Sequence, residues 1–158
     1  MSKEFLEVGD KGALICGDIP EVDVLRATLQ DMEFKCHVAA TPEQAIERMT
    51  YTSYDALLVC EDIGGSTLES NTVVQHLISM PMAQRRNSYT VLIGESLRTL
   101  DAMQAYINSV HLVVNPADIG SIGPILKKGL ADFDRLYATY VGVLRDTHKG
   151  PYDRRASQ

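Results

Sequence analysis

Short, mostly apolar runs alternate along this chain with longer stretches in which apolar residues recur every three or four positions. Strand-like runs fall at residues 13–16, 34–40, 54–60, 89–93 and 111–114, interrupted only by Lys35, His37, Asp55, Thr90 and His111. Runs apolar on both faces predict strands covered on both sides. The spaced stretches predict helices. Their faces are Val22, Leu25, Leu29 and Met32; then Ala45, Ile46 and Met49; then Val73, Val74, Leu77 and Ile78. A fourth face joins Leu97, Leu100, Met103, Tyr106, Ile107 and Val110.

Local signals punctuate this alternation. Gly17-Asp18-Ile19-Pro20 stops the first run, with Pro20 suited to a first helical turn and Asp18 or Ile19 flanking the cap. Thr41-Pro42-Glu43-Gln44 reads as a capping box with proline at the first helical position. Met80-Pro81 ends the third helix, because the residue before proline avoids helical backbone. Strand and helix alternate five times, which predicts one α/β domain. It is a doubly wound, five-stranded parallel sheet with right-handed crossovers.

The last periodic stretch is the longest. Ile122, Leu126, Leu130, Phe133, Tyr137, Tyr140 and Leu144 follow steps of four and three, a heptad-like seam from Leu126 onward. A helix over residues 119–147 would span about 43 Å. A sheet of short strands is only about 17–20 Å deep. The helix is therefore expected to overrun the domain, or else to break at Gly129 or Gly142 and fold back. An overrunning apolar stripe predicts a dimer or partner seam. The chain divides into a leader (1–11), a domain (12–130), a helical extension (131–148) and a flexible tail (149–158).

Composition narrows the function. With 158 residues, one full core is affordable. A net charge of −6 disfavours nonspecific nucleic-acid binding, and the tail pair Arg154-Arg155 reads as solvated. No apolar run reaches membrane-helix length, and the acidic start is unlike a signal peptide, so a cytoplasmic protein is expected. Cys16, Cys36 and Cys60 are odd in number and widely spaced, which argues against a disulfide framework or a zinc site. His37, His76, His111 and His148 lack metal-ligand spacing, and no dinucleotide, P-loop or nucleophile-elbow motif occurs.

The residues at the strands' carboxyl ends then carry a resemblance. Asp55 precedes Ala-Leu-Leu-Val and Cys60; Gly17-Asp18 closes the first run, Gly94 the fourth, and Asn115-Pro116 the fifth. Over about residues 12–130 this order resembles the receiver domain of two-component response regulators, whose flavodoxin-like sheet runs 2-1-3-4-5. The resemblance implies that Gly17 and Asp18 stand where that family has two metal-binding acids. Cys60 stands at the phospho-accepting aspartate, Gly94 at a threonine or serine, and Asn115 at a lysine. A slip of one residue would put Glu61 at the acceptor position, as a fixed charge. Only Asp18 keeps a functional group, and Pro116 keeps the backbone signature.

Phosphoryl transfer to a carboxylate needs metal and ammonium charge around the transferring group. The expected function is therefore a non-catalytic pseudo-receiver that signals through protein contacts by its fourth and fifth helices, with a homodimer through the last. No cofactor is expected, and the one metal candidate is Asp18 with Glu61. Cys60, beside acids, is expected to be an inert thiol. The alternative is a small-molecule or nucleotide sensor, using room left at the edge by Gly17, Gly64, Gly65 and Gly94. An enzyme ranks last, since nothing pairs a nucleophile with a base.

Overall fold

The computed structural model describes residues 6–7, 9–67, 69–81, 84 and 87–148, with side chains in the last helix described up to residue 139 and at Val143. Five strands form one sheet: β1 Lys11–Cys16, β2 Phe34–Ala39, β3 Ala56–Cys60, β4 Tyr89–Ile93 and β5 Leu112–Val114. All pairings are parallel, in the order β2-β1-β3-β4-β5. The helices are α1 Val22–Asp31, α2 Pro42–Tyr51, α3 Thr72–Ser79, α4 Ala102–Ile107 and α5 Ile122–His148. The sheet is the flavodoxin-like one expected from the alternating runs.

Alternation of side chains along each strand splits the core into two layers. Ile15, Leu58, Val91 and Val114 meet Leu25, Leu29, Ile122 and Leu126 on the face covered by α1 and α5. Leu14, Leu57, Val59, Leu92 and Val113 meet Ala45, Val73, Val74 and Leu77 on the other. Asp55 ties the central strands at their amino ends. Its carboxylate accepts the Gly12 N–H at 2.9 Å, and its own N–H donates to the Gly12 carbonyl at 2.8 Å.

The caps are largely as spaced in the sequence. Thr41 Oγ1 accepts the Gln44 N–H, and Gln44 reaches back to the Ala40 N–H, one residue before the one a standard capping box uses. Pro20, however, lies in the turn ahead of α1. The helix begins at Val22 behind Glu21, which makes no side-chain cap.

The fourth helix differs more. It is only six residues long, because Asp101 caps it by accepting the Met103 and Gln104 N–H groups. Leu97 and Val110 are buried from the flanking loops, while Leu100, Met103, Tyr106 and Ile107 are exposed. The six apolar positions therefore do not make one buried helical face.

Helix α5 follows a 3₁₀ turn, Pro116–Ser121, and runs unbroken through Gly129 and Gly142. Its 27 residues span about 40 Å. Ile122 and Leu126 are enclosed in the monomer's own core, and Leu130 and Phe133 pack against it. Leu126 is thus removed from the expected contact seam: it already faces its own sheet. Among the described residues further along, the exposed large apolar side chains are Leu136, Tyr137 and Val143. The side chains of Tyr140 and Leu144 lie outside the described residues, as do most of the leader and all of the tail.

Phe133 meets the domain through aromatic rings. Tyr89 stacks on His111 with centroids 5.2 Å apart, and Phe133 meets the His111 ring edge-on at 4.9 Å. His111 Nδ1 accepts the Thr90 N–H at 3.0 Å. His111 is exposed as a residue, yet partial burial of its ring holds its pKa below 6.5. The unfolded chain therefore binds the proton more readily, so this contribution is complete above pH 6.5 and is lost as pH falls toward the folded-state pKa. Urea midpoints should fall between pH 7 and 5 by more in wild type than in His111→Asn. Equal pH slopes for both proteins would refute this.

Candidate functional site

The six edge positions singled out from the sequence do gather at the carboxyl end of the sheet. Cys60 is the last residue of β3, and Gly17, Gly94 and Asn115 each follow the last residue of a strand. Gly17 N–H donates to the Ala39 carbonyl, Glu61 N–H to the Ile93 carbonyl and Gly94 N–H to the Val114 carbonyl, which continues the parallel pairing to the rim. Asp18 is exposed beside them.

The glycines do not leave the room expected of them. A Cβ added to Gly17 would lie 2.4 Å from Cys60 Sγ and 2.7 Å from Cys60 Cβ. One added to Gly94 would lie 2.2 Å from Glu61 Cδ. Cys60 and Glu61 therefore occupy the space in front of the two glycines. Gly64 approaches Pro42, and only Gly65 faces open space. A ligand chamber lined by these glycines is not what the edge presents.

Cys60 is 1% exposed. Burial, reinforced by the charges of Asp62 and Glu21, pushes its thiol up to about 12. At neutral pH it is a neutral, shielded group, the opposite of a reactive thiolate. The acids that act on it are Asp62 and Glu21. Cys16 is fully buried on the other face of the sheet, and burial raises its pKa further.

Glu61 is held away from Cys60. Its carboxylate accepts the Ser96 N–H at 3.1 Å and the Ser96 hydroxyl at 2.5 Å. Asn115 is likewise committed to the backbone. It accepts the Ala117 N–H at 3.0 Å, capping the 3₁₀ turn behind Pro116, and donates to the carbonyls of Leu97 and Glu95. No cationic side chain occupies its place. Among the described residues, no three His, Cys, Asp or Glu side chains gather as a metal site would.

Sequence reasoning missed two residues that shape this rim. Ser96 is the partner of Glu61. Asn71 is fully buried, caps α3 by accepting the Val73 and Val74 N–H groups, and donates to the carbonyls of Cys60 and Glu61 at 3.0 and 3.1 Å. An asparagine directly before Thr72-Val73-Val74 is an N-cap signal that could have marked it. Nothing local marks Ser96, since its partner is 35 residues away.

No protein-family model matches the sequence, and no curated protein matches it. Solved structures do share its fold. A CheY-like response regulator receiver domain from Methanospirillum hungatei JF-1 superposes with a TM-score of 0.62 at 12% identity, covering 80% of this chain and 98% of that one. A CheY-like receiver domain from Methylobacillus flagellatus gives 0.56 at 20% identity, covering 76% and 98%. A yeast Spc42 trimeric coiled-coil segment, amino acids 181–211, fused to another structure, gives 0.60 at 20% identity and covers 96% of this chain and 95% of that one.

Proposed function

Starting from the CheY-like receiver fold, we propose that this chain is a non-catalytic signalling module that carries no phosphoryl group and works through protein contacts. The observation that carries this reading is Cys60, a buried thiol packed against Gly17, where the receiver resemblance puts the phospho-accepting carboxylate. A thiol cannot form the acyl phosphate that an aspartate forms. Glu61 is tied to Ser96, and Asn115 carries no charge to balance phosphoryl oxygens. Mg²⁺ favours a near-octahedral oxygen shell, which exposed Asp18 alone does not supply.

Two surfaces suit the contacts. One is α4 with its exposed Met103, Tyr106 and Ile107, together with Leu100 in the turn before it. The other is the outer part of α5, where Leu136 and Val143 are exposed one heptad apart. The coiled-coil neighbour covers that helix, whereas the two receivers described above leave a fifth or more of the chain unmatched. We read residues 131–148 as an extension that self-associates, as a homodimer, beyond a receiver-like domain at 12–130. The expected setting is cytoplasmic, with no cofactor and no nucleic acid.

Adding Mg²⁺ and beryllofluoride to ¹⁵N-labelled protein should leave the amide spectrum unchanged. Saturable shifts around Asp18, Cys60 and Glu61 would overturn the reading. The same edge as a small-molecule sensor finds no support in the geometry, because Cys60 and Glu61 already fill it.

A further inference from the structure

The turn between β4 and α4 does not take the structure that its sequence favours. Apolar residues recur every three positions from Leu97 to Tyr106, and no glycine or proline stands between Glu95 and Asn115. Ser96, directly before that stretch, is a favoured N-cap residue. Together these would begin a helix at Leu97. The helix begins at Ala102 instead.

The residues left out of the helix are strained. Leu100 has φ +68°, a left-handed conformation that a glycine takes freely and a leucine does not. Its side chain is exposed, so packing within the domain does not offset that strain. Strain of this kind persists where surrounding contacts over-determine the backbone.

Those contacts come from the ends of two other strands and from the 3₁₀ turn. Glu61, just past β3, accepts the Ser96 N–H and hydroxyl. Asn115 Nδ2 donates to the Leu97 carbonyl at 2.9 Å and to the Glu95 carbonyl at 3.3 Å, and the Asn115 N–H donates to Thr99 Oγ1. The Thr99 hydroxyl donates in turn to Asp118. The Leu100 N–H reaches the Val113 carbonyl at 3.0 Å. In a helix begun at Leu97, the Leu97 carbonyl would accept the Asp101 N–H, and the Leu100 N–H would turn to the Ser96 carbonyl. Asn115 and Val113 hold those two groups instead. The two arrangements compete for the same backbone groups and exclude each other.

We propose that this turn is a two-state latch. With Ser96 on Glu61 and the Leu97 carbonyl on Asn115, α4 is short. When those bonds open, Ser96 caps a helix that takes in Leu97 to Asp101, relieves Leu100 and joins Leu100 and Met103 on one longer apolar face. The latch's role rests on the reading of α4 as a contact surface. A partner that binds the longer helix more tightly than the short one draws the latch open.

Backbone chemical shifts of the full ¹³C,¹⁵N-labelled chain test this. In wild type, Leu97 to Asp101 should show non-helical Cα and Cβ shifts. Asn115→Asp keeps the acceptor for the Ala117 N–H but sets a carboxylate against the Leu97 and Glu95 carbonyls. Glu61→Ala frees Ser96. Each should move Leu97 to Asp101 toward helical values, and the double variant should move them further. Leu100→Gly relieves the short form and lowers helix propensity, so adding it to either variant should restore the wild-type shifts at Leu97, Arg98 and Thr99. Asp18→Asn, at the same rim but holding none of these groups, should change none of them. The proposal is overturned if the segment stays non-helical in both variants, if it takes random-coil values, or if Leu100→Gly leaves it helical. Should Asn115→Asp fail to fold, Glu61→Ala with and without Leu100→Gly decides. Beryllofluoride-induced shifts at Cys60 would defeat the proposed function and leave the latch standing, whereas a turn that never becomes helical defeats the latch alone.

Discussion

Replacing Asn71 by alanine should lower the stability of the fold by about 3–4 kcal/mol, far more than loss of a helix cap alone. The cap itself, two N–H groups of α3, is worth about 1 kcal/mol. The remainder comes from the carbonyls of Cys60 and Glu61, which lose their Nδ2 donor at a buried place where water does not replace it. Asn71→Asp separates the parts. It keeps the acceptor for Val73 and Val74, at the end of the helix that favours negative charge. It also sets a carboxylate against two carbonyl oxygens, so most of the loss should persist at pH 7. Urea unfolding of the three proteins measures this. A loss below about 1 kcal/mol for Asn71→Ala would show that the carbonyls find other donors.

The second large effect divides helix α5 in two. Leu126 is 1% exposed under the sheet, and Leu126→Ala should cost about 3 kcal/mol through lost burial and the cavity left behind. Leu136, nearly three turns on, is 68% exposed. Leu136→Glu should change monomer stability by no more than about 0.5 kcal/mol. If the outer helix is a self-association seam, the same change should abolish a concentration-dependent rise in mass seen by sedimentation for wild type. A wild-type monomer at every concentration would remove self-association from the proposed function while leaving the Leu126 result standing.

The strands and most helices were legible because their physics is local. A parallel strand buried on both faces has to be apolar throughout, and Ala56–Cys60 is. Thr41-Pro42-Gln44 writes a helix start within four residues. The fourth helix was misread because Leu97 and Val110 share a helical period with Leu100, Met103 and Ile107 yet are buried from loops. The period alone cannot say which residues face inward, and Asp101 sets the start as a cap. At the carboxyl rim, the sequence brought Gly17, Cys60 and Gly94 together through strand ends. It could not show that the glycines are glycines because Cys60 and Glu61 stand against them, since that fit depends on distances between strands.

The contact between Gly17 and Cys60 also constrains the routes by which this chain could change. Any side chain at position 17 meets Cβ of residue 60 at 2.7 Å, whatever residue stands at 60, so long as it is not glycine. An acid at 17 and an acid at 60 therefore exclude each other until the backbone at the end of β1 moves. A side chain at 17 therefore requires either glycine at 60 or a shift of the backbone between the ends of β1 and β3.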